Sequence, residues 1–323
     1  MQSMLAPSPF RPAAPALAAA KFRDPGYTAN GDIRATVGLT ALRTLWFNTG
    51  TLCNIACATC YIESSPTNDA LIYLRAADMV GYLDEIASFG LPTAEIGLTG
   101  GEPFMNREIV PMLETALERG LRTLVLTNAM RPMRRFEPDL SRLIGPFGDR
   151  LTFRVSLDHH RPEIHEAERG AGTWPIAIDG LRWLAAAGAR VAIAARLLPG
   201  ESSAEAQLGF STLFAELGLS LDAADPERLV LFPEMDASAD TPEITEACWS
   251  ILHKSPGSVM CASSRMVVHR RGEPAPRVVA CTLLPYDARF DLGVTLAEAN
   301  RPVALNHPHC ARFCVLGGAS CSA

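Results

Sequence analysis

The 323-residue chain has no excess of positive charge: 29 Lys and Arg stand against 35 Asp and Glu, a formal net charge of −6. A nucleic-acid partner would call for a basic domain, so none is expected. The chain also lacks any apolar run of eighteen residues, and no membrane-crossing helix is expected. The stretch from Met1 to Ala20 is rich in Ala and Pro but has no basic start before an apolar segment. It makes a poor secretory signal and reads as a partly disordered arm. The nine cysteines are odd in number and gather at two places, which is not how a disulfide framework is spaced. Reduced thiols or metal ligands in a cytoplasmic protein are expected instead. What the chain does have is 48% hydrophobic residues, enough for one large α/β domain plus a smaller appendage.

The first cysteine group is Cys53-Asn54-Ile55-Ala56-Cys57-Ala58-Thr59-Cys60-Tyr61, a C-x3-C-x2-C spacing. Three readings compete for it. A structural zinc site closes with four ligands, often two C-x2-C pairs. Only one such pair is present here, and the next cysteine is Cys248. A disulfide would need an oxidising compartment and would strand one thiol. Three thiolates on one tight loop can also hold three corners of a cubane iron–sulfur cluster, leaving one iron open to a small molecule.

From about Leu42 short apolar runs alternate with amphipathic stretches. Strands are predicted at 45–47, 95–98, 121–127, 151–156, 191–197 and 229–232. Between them, Met79, Leu83, Ile86 and Ala87 share one helical face. Leu113, Ala116 and Leu117 mark a helix that Gly120 ends, and Ile178, Leu181 and Leu184 mark another. Such alternation predicts parallel strands with right-handed crossovers. The expected fold class is α/β: a partial (β/α)6 TIM-like barrel with a small C-terminal cysteine-rich extension. The expected division is an arm over 1–41, the barrel over 42–240 and the extension over 241–323, with a helix near Glu243–Leu252 opening the last. In such barrels the chemistry sits at the C-terminal strand ends. The cysteine loop, Gly100–Pro103, Thr127–Asn128 and Ser156–Asp158 all fall there.

Leu98-Thr99-Gly100-Gly101-Glu102-Pro103 is either a strand-to-helix turn, with Pro103 in the first helical turn, or a ligand cradle. In the second case two glycines let backbone approach a ligand, and the Glu102 carboxylate accepts from an ammonium. With Cys53, Cys57 and Cys60, with Gly100-Gly101-Glu102-Pro103, Thr127-Asn128-Ala129 and Ser156-Leu157-Asp158, the chain resembles the radical S-adenosylmethionine (radical SAM) superfamily over about residues 42–235. The resemblance implies a [4Fe–4S] cluster on the three loop cysteines and S-adenosylmethionine at the open iron. One-electron reduction there yields methionine and a 5′-deoxyadenosyl radical that abstracts a substrate hydrogen. It further implies that Gly100, Gly101 and Glu102 hold the ammonium, Ser156 and Arg169 contact the carboxylate, Asn128 and Asp158 lie near the ribose, and Tyr61 lies near the adenine. The chain departs from relatives in two places: Thr59 stands where an aromatic residue often precedes the last loop cysteine, and His159-His160 follow where glycine is frequent. Those histidines either touch substrate or move a proton, or are helix-start or surface histidines.

The tail holds Cys261, Cys281, Cys310, Cys314 and Cys321. The first two bracket a predicted hairpin turning at Gly272–Pro274. The tail looks like the extensions called SPASM or twitch domains, which implies one auxiliary [4Fe–4S] cluster; zinc is the other reading. Five thiols compete for four positions, with Cys314 or Cys321 spare, and His309 is a further candidate ligand. Cys248 reads as a helix core thiol. The expected activity is hydrogen abstraction from a small molecule or short peptide, supplied with electrons by a flavodoxin- or ferredoxin-like donor. A peptide- or protein-modifying maturase is the alternative within the class. A non-catalytic iron–sulfur or zinc redox carrier is the alternative of another class, and it would have no need for a methionine pocket.

Overall fold

The computed structural model describes residues 8–11, 14–233 and 235–319. Its main sheet contains six parallel strands in chain order: β2 (Thr44–Asn48), β3 (Glu95–Thr99), β4 (Arg122–Thr127), β5 (Leu151–Ser156), β6 (Arg190–Arg196) and β7 (Leu229–Phe232). All six strands expected from the apolar runs are present. Every residue of β2 and β3 is buried, as expected for strands covered on both faces.

Helices fill the crossovers: α1 (Ala76–Ser88), α2 (Ile109–Glu118), α3 (Arg131–Arg134) with α4 (Glu137–Phe147), α5 (Pro162–Arg169) with α6 (Thr173–Ala186), and α7 (Ser203–Leu217). In α1, Met79, Leu83 and Ile86 are buried as the periodicity requires, but Ala87 is exposed. Tyr82 takes the fourth buried place, its hydroxyl 3.0 Å from the Val294 carbonyl and 3.2 Å from that of Pro276. Beyond α2 the chain turns through Gly120 at φ +81°, a backbone that favours glycine.

The chain after residue 240 continues this sheet. A short helix, α8 (Ala247–Ile251), covers only part of the predicted 243–252 stretch, and there Cys248 Sγ accepts from the Thr245 amide at 3.4 Å. Strand β8 (Ser264–Val268) then runs parallel to β2, on the side away from β3. The predicted hairpin forms between β8 and β9 (Arg277–Val279), and β10 (Asp291–Gly293) adds beyond it. The nine strands run β10-β9-β8-β2-β3-β4-β5-β6-β7, so the sheet is open, with β10 and β7 at its edges. A separate pair joins β1 (Thr36–Val37) to β11 (Val303–Ala304).

The described part of the N-terminal arm is largely exposed but anchored at a few buried points. Phe10 and Phe22 are buried, and the buried Arg34 pairs with Glu243 at 2.5 Å. Two aromatic rings and a guanidinium fork anchor a segment whose Ala and Pro content alone predicts looseness. Among the described residues no helix is long and apolar enough to cross a membrane.

Candidate functional site

One pocket touches all six parallel strands at their C-terminal ends. The cysteine loop after β2, Gly100 and Gly101 after β3, Asn128 after β4, Ser156 and Asp158 at β5, Arg196 at β6, and Phe232 at β7 all line it. A flat sheet cannot bring first and sixth strands to one concavity, so the sheet curves into part of a barrel around this site.

The glycine pair positions the loop. Gly101 donates its amide to the Gly50 carbonyl (2.8 Å) and Glu102 to that of Leu52 (3.1 Å). A Cβ on Gly101 would stand 2.2 Å from the Leu52 carbonyl oxygen, and one on Gly100 2.5 Å from that of Gly50. The first close approach these glycines permit is therefore between two protein segments. From the other side the Cys53 amide donates to the Ser65 carbonyl (3.0 Å) and the Ser64 amide to Cys60 Sγ (3.3 Å). Burial pushes the Cys53 thiol up to about 11 and the Cys57 thiol up to about 12, and Arg169 opposes both shifts. None of the described cysteines forms a disulfide, which removes that reading for the loop.

Glu102 lies under the pocket without lining it. Only 2% of it is exposed, and its oxygens accept from Thr127 Oγ1 (2.8 Å), the Asn128 amide (2.8 Å) and the Phe104 amide (3.2 Å). It ties the end of β3 to the end of β4. Burial outweighs these bonds and raises its carboxyl to about 7. Asn128 in turn donates to Asn54 Oδ1 (2.9 Å) on the cysteine loop. The turn is completed by Ala129 at φ +56°, whose carbonyl oxygen would lie 1.7 Å from a Cβ on Gly180 of α6.

Asp158 and Arg169 face each other across the pocket wall, Nε to Oδ2 at 2.6 Å and Nη2 to Oδ1 at 3.2 Å. Burial works against the Asp158 charge, but Arg169 and Arg196 outweigh it and hold the carboxyl below its usual range. A second network was not read from the sequence. Glu168 Oε1 accepts from the Thr59 amide (2.8 Å) and hydroxyl (2.7 Å), and Arg196 Nη1 donates to Thr59 Oγ1 (2.6 Å). Ser8 of the arm donates to Glu168 Oε2 (2.5 Å), and the Phe10 ring lies 4.3 Å from the Arg196 guanidinium carbon. Thr59, Glu168 and Arg196 all line the pocket. Arg196 ends β6, so the strand-end rule that found Ser156 would have found it too.

His159 and His160 do not line the pocket. Together with Glu201 they bring three ligand atoms within 4.8 Å, the single such group among the described residues. His159 is a poor metal ligand, because its Nδ1 accepts from the Arg161 amide (3.1 Å), which leaves the ring proton on Nε2 facing Glu201 (3.1 Å). His160 packs against Phe210 of α7. These are packed histidines at a helix start.

In the tail, Cys261, Cys281, Cys310, Cys314 and His309 line a second, apolar pocket walled by Val259, Met260, Leu283, Leu284 and Phe290. Burial raises the Cys261 thiol to about 11 and the Cys310 thiol well above its usual range. His309 Nδ1 is buried without a hydrogen-bond partner, and burial lowers that ring to about 4. Cys321 lies outside the described residues.

A family model described as the Radical SAM superfamily matches residues 47–208. The chain belongs to that superfamily. It is similar to the antilisterial bacteriocin subtilosin biosynthesis protein AlbA of Bacillus subtilis, 31% identical over 118 residues, 36% of this chain and 25% of AlbA. It is also similar to the mycofactocin maturase MftC of Mycobacterium ulcerans, 27% identical over 136 residues, 42% of this chain and 34% of MftC. The matches thus span between a quarter and about a third of the length of these curated relatives. In fold the chain matches Streptococcus suis SuiB bound to S-adenosylmethionine, with a TM-score of 0.57 at 13% identity over 79% of this chain and 63% of SuiB.

Proposed function

We propose that this radical SAM chain holds a [4Fe–4S] cluster on Cys53, Cys57 and Cys60, binds S-adenosylmethionine in the adjoining pocket, and modifies a peptide. One observation carries the reading: three thiols from a single loop open onto the same concavity as Gly100, Asn128, Ser156, Asp158 and Arg169. The donor set fits a cluster with one open corner: Cys53, Cys57 and Cys60 all line the pocket, and three thiolates suit such a cluster, whereas a structural zinc closes with four ligands.

When bound, the cluster supplies the electron for reductive cleavage of S-adenosylmethionine and with it the hydrogen-abstracting chemistry. The chain's own residues bind and orient. Ser156 and Arg169 suit the cofactor's carboxylate, with Asp158 fixing the Arg169 fork. Asn128 and Tyr61, which line the same pocket, would flank the nucleoside. Glu102 acts through Thr127 and Asn128, whose turn it holds. The half-buried cysteine loop and the partly buried apolar Phe232 and Met235 limit the access of water to the site.

For the substrate, the bacteriocin-biosynthesis and maturase relatives support a peptide over a small molecule. We place one auxiliary [4Fe–4S] cluster on Cys261, Cys281, Cys310 and Cys314, because these four line one apolar pocket. A low-potential donor of the flavodoxin or ferredoxin kind would reduce both sites.

The test is anaerobic reconstitution with iron and sulfide, then S-adenosylmethionine and dithionite, with 5′-deoxyadenosine measured chromatographically. Wild type should form it. Cys57→Ala should not, while keeping the iron of the tail. An intact loop cluster without 5′-deoxyadenosine contradicts the reading.

A further inference from the structure

One buried guanidinium faces no carboxylate among the described residues. Arg265, in β8, is 1% exposed. Its Nε donates to the Ala299 carbonyl (3.1 Å), Nη1 to the carbonyls of Cys261 (2.6 Å) and Ser264 (2.8 Å), and Nη2 to that of Arg301 (3.2 Å). Every acceptor is neutral. The other buried arginines discussed above each face a carboxylate: Arg34 with Glu243, Arg169 with Asp158, Arg196 with Glu168. Among the described residues no carboxylate lies within ion-pairing distance of Arg265, and a buried cation without an anion is expensive.

The groups that can become anionic beside it are thiols. Burial pushes Arg265 toward its neutral form, and Cys261 and Cys281 act in the opposite sense. Cys261 lies four residues before Arg265 and accepts its shortest hydrogen bond through its carbonyl. Cys281 lies two residues beyond β9, the strand that pairs with β8.

We propose that Arg265 is the counter-charge of the anionic group held by Cys261, Cys281, Cys310 and Cys314, and that it raises that group's reduction potential. The proposal rests on the reading of the tail as an iron–sulfur site. Four thiolates leave an iron–sulfur core net negative. One-electron reduction by an external donor adds one further negative charge and breaks no bond. A fixed cation in a low-dielectric interior favours that reduced form, since net charge around a cluster sets its potential. Arg265 touches neither substrate nor S-adenosylmethionine in this account. It is a positioning and tuning residue.

The experiment uses the full chain carrying Cys57→Ala, so that the tail holds the remaining cluster. The cluster is titrated anaerobically with dithionite and followed by electron paramagnetic resonance. Arg265→Gln is compared with the parent, Arg265→Met serves as a second neutral variant, and Arg265→Lys keeps the charge. Iron content and circular dichroism are measured on each. The neutral variants should hold iron and show at least a tenfold lower reduced-to-oxidised ratio at fixed potential, a downward shift of about 59 mV or more. Arg265→Lys should recover most of it. Unchanged potential in a folded, iron-loaded neutral variant overturns the Arg265 role and leaves the cluster reading standing. A parent tail without iron removes both. If the neutral variants fail to fold even without iron while Arg265→Lys folds, the charge answers to the four carbonyls and not to an occupant, which also overturns the proposal.

Discussion

The Asp158 carboxylate grips the Arg169 guanidinium at two points, 2.6 and 3.2 Å, beside the thiol of Cys57. Both side chains are at least 87% shielded from solvent. Removing one partner leaves the other as an uncompensated buried charge. Asp158→Asn should therefore cost about 3 kcal/mol of unfolding free energy. S-adenosylmethionine binding should weaken with it, because the Arg169 fork is no longer held. Urea unfolding and calorimetric titration check the two effects separately. An unchanged stability would mean that Arg169 finds another partner.

Gly101 is where the β3 turn meets the cysteine loop. A methyl group there collides with backbone, the carbonyl of Leu52, and not with a movable side-chain end. Gly101→Ala should displace the loop that holds Cys53. The variant should reconstitute with about half the parent's iron, the tail cluster being spared. Iron analysis after anaerobic reconstitution reads this directly.

Burial raises Glu102 from 4.5 to about 7. The folded state thus binds a proton between those values that the unfolded chain has released. The contribution is fully present below about 4.5 and is lost as pH rises through about 7. Relative to Glu102→Gln, wild type should lose about 3 kcal/mol across that window. Parallel urea titrations of the two proteins at several pH values test it. A flat difference would show that Glu102 is ionised throughout.

The arm reaches the pocket through Ser8 on Glu168 and Phe10 over Arg196. Phe10→Ala should release Arg196 and weaken S-adenosylmethionine binding about tenfold, the loss of a cation–π contact in a desolvated site. Global unfolding should change less than the binding constant, since the arm closes onto the barrel and is not part of its sheet. Equilibrium dialysis with labelled S-adenosylmethionine checks the binding.

The six strands of the barrel were legible because each is a short apolar run between helical periods. The cysteine loop was legible because thiol spacing survives without structure. Ala87 was misread because one helical face admits either it or Tyr82, and only the hairpin carbonyls of Pro276 and Val294 decide for Tyr82. The place of β8 beside β2 is a non-local pairing across some 220 residues, which periodicity cannot register. Glu168 escaped because no motif marks it, and the end of β6 is the one signal that points to Arg196. Their partner Thr59 looked like a lost aromatic residue, whereas it is the hydrogen-bonding centre of that wall. Arg169 was assigned to a ligand carboxylate from resemblance, and its standing partner is Asp158.

The central claim is a cluster on Cys53, Cys57 and Cys60 with an iron open to S-adenosylmethionine. Electron paramagnetic resonance of the dithionite-reduced protein carrying Cys261→Ala and Cys281→Ala, recorded with and without S-adenosylmethionine, tests it most directly. A reduced cubane signal that changes on addition of S-adenosylmethionine is the expected result. A cluster signal indifferent to S-adenosylmethionine, or a protein that binds no iron at the loop, would contradict it.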